Sequence, residues 1–175
     1  MKIAEVESLV VGSSQFVRLT TDDGLVGVGQ TACWGYPNAV HEILQTFRKY
    51  LIGQDPMRIE HHWQYLYRMA PFRGNALSGA VSAVDIALWD IKGQKLQVPI
   101  WVWLGGRCRD KVRLHLLMGG QTPEELAANA QAAVREGFTA LKFDPLPAGF
   151  PDLTLEGLVR AVVERVAAVR ETVGK

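Results

Sequence analysis

At 175 residues, with 48% hydrophobic and 21% charged residues, the chain has the composition of a globular protein with enough apolar surface to bury a core. A formal net charge of +1, without any run of lysine or arginine, leaves no electrostatic footprint for nucleic acid or an anionic membrane, so neither is expected as a partner. Cys33 and Cys108 lack CxxC spacing, the first residues do not read as a secretion signal, and no stretch reaches membrane-spanning length; the expectation is a cytoplasmic protein with free thiols.

The chain opens as an antiparallel meander. Residues 2–11 and 15–21 are rich in Val, Ile, Leu and Phe, and Asp23-Gly24 is a hairpin signal before a third strand at 25–30. The period then changes to 3.6. Val40, Ile43, Leu44, Phe47 and Leu51 share one face of a helix over 39–51, with Gly53 as its stop. Asp55-Pro56 reads as N-cap and first-turn proline for a second helix carrying Ile59, Trp63, Leu66 and Tyr67. A third helix, about 76–96, lines up Ala80, Val81, Val84, Leu88 and Ile91, with small Ala83 and Ala87 available for close packing.

After the LGG turn at 104–106 the order becomes strand, helix, strand, helix. Residues 112–118 suit a strand, and Thr122-Pro123-Glu124-Glu125 forms a capping box for a helix to Glu136, stopped by Gly137. A strand at 139–144 follows. The last helix, ending at Gly174, carries Leu155, Leu158, Val159, Val162, Val163, Val166 and Val173. This is the grammar of parallel sheets, and two such units leave sheet edges open, whereas a closed eight-unit barrel takes roughly 250 residues. The fold expected is α+β, a three-stranded meander plus helices over residues 1–108, followed over 109–175 by the first two β/α units of an incomplete (β/α) barrel.

The segment TALKFDP concentrates the chemistry. Lys142 and Asp144 are two residues apart, so a regular strand places them on one face, and strand C-termini face the mouth in which parallel barrels do catalysis. Such a lysine can lower its pKa in apolar surroundings or stay charged and hold a carboxylate. Two blander roles stay open beside these: strand-end charges facing water, or a local pair.

The stretches YLIGQDPMRIEHHWQYLYR, FRGNALSGAVSAVDIALWDIKGQKLQVPIWVWLGG and RDKVRLH resemble the mandelate racemase/muconate lactonizing enzyme subgroup of the enolase superfamily, with its galactonate-dehydratase-like acid-sugar dehydratases the nearest pattern. The resemblance covers essentially the whole chain. It implies an α+β capping domain joined to a modified barrel, and Mg²⁺-dependent abstraction of the proton α to a carboxylate followed by loss of water from a sugar acid. It also implies acidic metal ligands on the third to fifth barrel strands, beyond these residues, so that no metal ligand is assigned here. Racemases and cycloisomerases of the subgroup often carry K-x-K on the second barrel strand, with the second lysine as base. Asp144 stands in that place, which shifts expectation to a dehydratase with a histidine base on a later strand. Lys142 then binds or polarises the carboxylate, and Asp144 contacts a sugar hydroxyl or positions Lys142. Mannonate dehydratases have a histidine near the end of the first barrel strand; Leu117 and Met118 argue against that substrate.

Capping loops of the family contribute specificity, and Trp34 and Tyr36 in CWGYPN could stack on a sugar and exclude water. Arg73 could fork onto a carboxylate, although capping the preceding helix or pairing with an exposed acid is the more ordinary role. Adjacent His61 and His62 point about 100° apart and cannot chelate one metal; both read as partly buried. His41-Glu42 starts like HExxH, but Gln45 breaks the motif. Asp85 reads as buried and hydrogen-bonded, Asp90 as solvated, and the tryptophans, including Trp101 and Trp103, as packing. A homo-oligomer acting on a small sugar acid is the expectation for the whole enzyme, with this chain inactive alone. The rival is a non-catalytic module that pairs with another chain or with itself through an open sheet edge.

Overall fold

The computed structural model describes residues 1–31 and 35–174. It divides into two compact units, Met1–Cys108 and Arg109–Lys175.

The first unit starts with an antiparallel sheet in the order β1 (Ile3–Val11), β2 (Ser14–Thr21), β3 (Val26–Thr31). The β2–β3 hairpin turns at Asp23-Gly24, where Gly24 has φ +87° and the Asp23 carboxyl is held below its ordinary range, chiefly by the Lys95 ammonium. Period-two alternation buries Val17, Leu19, Gly27 and Gly29 on one face and leaves the Glu7–Arg18 pair on the other. Three helices cover the buried face: α1 (Pro37–Leu51), α2 (Ile59–Arg68) and α3 (Asn75–Leu96). Val40, Leu44, Phe47 and Leu51 of α1, Leu66 of α2, and Ala80, Val84, Leu88 and Ile91 of α3 join the sheet in one core.

The tightest contact lies between α3 and β3. A Cβ at Gly29 would stand 1.8 Å from the Ala83 carbonyl oxygen, and one at Gly27 2.1 Å from that of Ala87. Backbone therefore packs on backbone, and Ala83 and Ala87 do what their size suggests. The same approach lets α3 close the outer edge of β3: Asp90 Oδ2 accepts the Val28 N–H at 3.1 Å, and Gln94 donates to Val26 O at 2.7 Å and to Asp90 Oδ1 at 3.0 Å. Asp90, expected to be solvated, is thus the partnered carboxylate. Asp85 is half-buried, and burial, with Glu60 nearby, pushes its carboxyl pKa up.

Helix α2 begins later than Asp55-Pro56 suggests. Asp55 Oδ1 accepts the Met57 N–H in a local turn, and the helix starts at Ile59 behind an N-cap without a side-chain bond. The histidine pair also divides: His61 is exposed, while His62 is fully buried. His62 Nε2 donates to Asp55 O at 2.8 Å, which leaves Nδ1 to accept from the Tyr50 hydroxyl at 2.8 Å. A short α4 (Ile100–Trp103) was not legible as a helix in the sequence. Here Lys92 lies over both the Trp89 and Trp103 rings, 4.7 and 4.9 Å from their centroids.

The second unit holds β4 (Leu116–Leu117), α5 (Pro123–Arg135), β5 (Leu141–Lys142) and α6 (Leu155–Val173), with a 3-10 turn at Phe150–Asp152. The strands pair in parallel, Leu116 with Leu141 and Leu117 with Lys142. Both strands are far shorter than 112–118 and 139–144: among the described residues each pairs only with the other, over two residue pairs. Met118, Leu126, Ala130 and Val169 form this unit's own core, with Leu141, Phe143 and Val173 packed against it.

Two outcomes test this account of the first unit. Gly29→Ala should cost at least about 3 kcal/mol in urea unfolding, the upper end for overpacking, since both clashing groups are backbone; a cost under about 1 kcal/mol would contradict the close approach. Burial lowers the His62 pKa, opposed by the Asp55 carbonyl bond, so this residue's contribution to stability is complete above its unfolded value of about 6.5 and is lost as pH falls through the folded value. An NMR titration of His62 with its midpoint above 6.5 would refute that direction.

Candidate functional site

The position of Lys142 is set from α5 onward. Gly137, at φ +95°, ends the helix with its N–H on Val134 O, and the Phe138 N–H reaches Ala133 O. The chain turns into β5, where Arg113 donates from Nε to Thr139 Oγ1 at 2.8 Å and from Nη2 to Thr139 O at 2.5 Å. Two ladder bonds then set the register, Leu116 N–H to Ala140 O at 3.0 Å and Met118 N–H to Lys142 O at 2.9 Å.

Alternation does the rest. Met118, Leu141 and Phe143 turn toward the helices, and Leu117, Lys142 and Asp144 are exposed on the opposite face. Lys142 and Asp144 share a face, and Leu117, 69% exposed, lies beside Lys142 in register. The Asp144 Oδ1 accepts the Leu146 N–H at 3.0 Å, fixing its carboxylate at the start of the PLPAGFP loop. An ammonium, a carboxylate and an apolar wall are therefore presented together at the C-terminal end of a parallel strand, a set able to hold an anionic group and a hydroxyl.

The loop after β4 is held by two side chains. Asn129 donates to Gly119 O at 2.7 Å, and Arg165, 7% exposed, donates to Gln121 O. The Thr122 half of the capping box is present, its Oγ1 accepting the Glu125 N–H, whereas Glu125 Oε2 accepts the N–H of Gln121, one residue before the N-cap. The Glu124 carboxyl is held below its ordinary range by backbone and Thr122 hydrogen bonds, with Arg165 adding attraction. Arg165 was missed in the sequence. Its signal was a cation four residues before Val169 in an apolar series, which must find an acceptor when that face is covered.

Among the first unit's candidates, Trp34 lies outside the described residues, as does Cys33. Tyr36 is the N-cap residue of α1, 69% exposed and without a side-chain cap bond. Arg73 neither caps α2 nor pairs with an acid; its guanidinium stacks 4.9 Å from the Tyr67 ring centroid and donates to Pro71 O at 3.3 Å. Among the described residues no group of three or more His, Cys, Asp and Glu side chains could hold a metal, so the Mg²⁺ that the resemblance implies finds no ligand set there. No helix among them is long and apolar enough to cross a membrane.

A model of the mandelate racemase / muconate lactonizing enzyme N-terminal domain matches residues 5–105. D-galactonate dehydratase of Verminephrobacter eiseniae is 38% identical over 99% of this chain and 46% of its own length. That of Klebsiella pneumoniae is 38% identical over 91% of this chain and 42% of its own. A solved member of the enolase superfamily from Salmonella Typhimurium superposes with a TM-score of 0.89 at 30% identity, over 99% of this chain and 52% of that one. An enolase of the mandelate racemase subgroup from Agrobacterium tumefaciens gives 0.84 at 28% identity, over 99% and 48%. The chain spans somewhat less than half the length of the curated relatives it matches.

Structural and functional roles separate by substitution. Lys142→Ala should change the stability of the second unit by less than about 0.5 kcal/mol, as expected of an exposed side chain. Arg165→Leu should cost about 1–3 kcal/mol by leaving the Gln121 carbonyl without its donor. Equal losses in chemical denaturation would make Lys142 a structural residue.

Proposed function

The chain belongs to the mandelate racemase / muconate lactonizing enzyme N-terminal domain family, and from that membership we propose that it is the N-terminal part of an acid-sugar dehydratase acting on an aldonate such as galactonate. The observation that carries the reading is the shared exposed face of Lys142 and Asp144 at the C-terminal end of β5. It is supported by the names of the D-galactonate dehydratases that align over nearly all of this chain.

The chemistry assigned to these residues is binding and orientation. The Lys142 ammonium takes the substrate carboxylate and favours the negative charge that develops when the α-proton leaves. Leu117 beside it is an apolar wall that strengthens this attraction once bound substrate and the rest of the enzyme cover the face. Asp144, anchored through Oδ1, offers Oδ2 to a sugar hydroxyl. In the overall reaction the α C–H bond breaks, its electron pair forms the C=C bond, and the β-hydroxyl departs as water, leaving an enol that becomes a 2-keto-3-deoxy acid. The proton-abstracting group is assigned to polypeptide beyond these residues. Trp34, Tyr36 and Arg73 are proposed sugar contacts on the first unit. A racemase or cycloisomerase is disfavoured by Asp144, which cannot serve as the second lysine of K-x-K.

The test is the natural gene product, weighed intact and assayed for 2-keto acid formation from a panel of aldonates with Mg²⁺. A mass well above 19.3 kDa and turnover that falls at least about 100-fold in Lys142→Ala would support the reading. Aldonate turnover by the 175-residue chain alone, or full activity in Lys142→Ala, would overturn it.

A further inference from the structure

Tyr50 at the end of α1 and Tyr65 of α2 meet ring to ring. Their planes lie 16° from parallel with centroids 3.9 Å apart; Tyr65 is 45% exposed, and Tyr50 is half-buried. The Tyr50 hydroxyl in turn donates to His62 Nδ1 at 2.8 Å. An exposed ring, a half-buried ring and a fully buried imidazole therefore stand in series.

The direction of the Tyr50 hydrogen bond gives the series its chemistry. A phenol that loses an electron becomes a strong acid, so the loss is favoured where a base is already placed to take the proton. His62 is that base: its Nε2 donates to Asp55 O at 2.8 Å, which leaves the Nδ1 lone pair facing the Tyr50 hydroxyl. After the transfer both ring N–H groups have acceptors, Asp55 O and the Tyr50 oxygen, so the charged ring is not left with an unpaired donor. Burial pushes the Tyr50 hydroxyl pKa up, with Tyr65 adding to it and Arg58 opposing, so this residue keeps its proton until the electron leaves. Burial also keeps His62 neutral and able to accept it.

The other tyrosines differ. Tyr36 is 69% exposed, and Tyr67 stacks on Trp63 with centroids 5.0 Å apart. Among the described residues, Tyr50 is the tyrosine whose hydroxyl meets a histidine.

We propose that Tyr50 is an oxidative modification site, entered through Tyr65 and activated by His62, whose reactants are a one-electron oxidant of the carbonate-radical class and nitrogen dioxide. The carbonate radical takes an electron from the exposed Tyr65 ring, and Tyr50 refills that ring across the stack. As it does, the Tyr50 O–H bond breaks and the proton passes to His62 Nδ1. The unpaired electrons of the Tyr50 phenoxyl radical and nitrogen dioxide then pair in a C–N bond at the ring carbon next to the one bearing oxygen. That carbon gives up its hydrogen as a proton to the carbonate, and the oxygen recovers its own proton from His62. The products are 3-nitrotyrosine and hydrogencarbonate.

The experiment treats the 175-residue chain with peroxynitrite in bicarbonate buffer at neutral pH, a source of both radicals, and measures nitration at each of the four tyrosines by peptide mass spectrometry. Exposure alone would direct the label to Tyr36. The expected result is nitration of Tyr50 at least about threefold above that of Tyr36 and of Tyr65. Tyr65→Phe keeps a stacked ring at an exposed position but removes the readily oxidised phenol. It should lower Tyr50 nitration at least about threefold, with Tyr36 nitration and the circular dichroism unchanged. His62→Gln, whose amide can hold the hydroxyl but takes no proton, should lower it similarly if the chain stays folded; if it unfolds, the Tyr65 variant decides. Nitration of Tyr36 or Tyr65 equal to or above that of Tyr50, or unchanged Tyr50 nitration in Tyr65→Phe, would overturn the proposal.

Discussion

Helix α3 lies on β3 with nothing between the two backbones. Ala83 and Ala87 present only methyl groups, and Gly27 and Gly29 present no side chain at all where the carbonyls of α3 come down. From that approach follows the rest of the first unit: the alternate residues of β2 are buried, α1 and α2 pack beside α3, and Asp90 and Gln94 come within reach of the Val26 and Val28 backbone. An edge strand that could recruit a foreign strand is closed by two side chains of the helix already there. In the WDIKGQKL stretch Ile91 supplies packing, and Asp90 and Gln94 supply the edge cap.

Polar groups inside the first unit are arranged with similar directionality. Both ring nitrogens of His62 are engaged, and because a backbone carbonyl can only accept, Asp55 O selects the tautomer and Tyr50 must be the donor at the other nitrogen. Burial favours the neutral imidazole, and it is in that form that Nδ1 accepts the Tyr50 O–H.

In the second unit the governing constraint is register. Two ladder bonds between β4 and β5 decide which side chains meet the helices, and a slip of one residue would send Lys142 and Asp144 into the core and Leu141 and Phe143 into water. Arg113 on Thr139 and Arg165 on Gln121 hold the two ends of this arrangement through backbone carbonyls, so the charged side chains at the candidate site are left for other work.

The amino-acid sequence by itself determined the types of the main strands and helices, though not α4, the order of the two units, and the sharing of a face by Lys142 and Asp144, because periodicity, capping residues and turn glycines act over a few neighbours. The N-cap at Thr122 and the helix stops at Gly53 and Gly137 are local chemistry of that kind. Tertiary structure decided what depends on a partner distant in sequence. Asp90 rather than Asp85 is hydrogen-bonded because β3 passes it; of two adjacent histidines one is buried because α2 turns it toward Tyr50; β4 and β5 are short because ladder bonds require a neighbour. Arg165 is buried because the β4–α5 loop offers a carbonyl to it, and half of the leucines and valines of α6 are exposed because burial belongs to the packed surface and not to the helix.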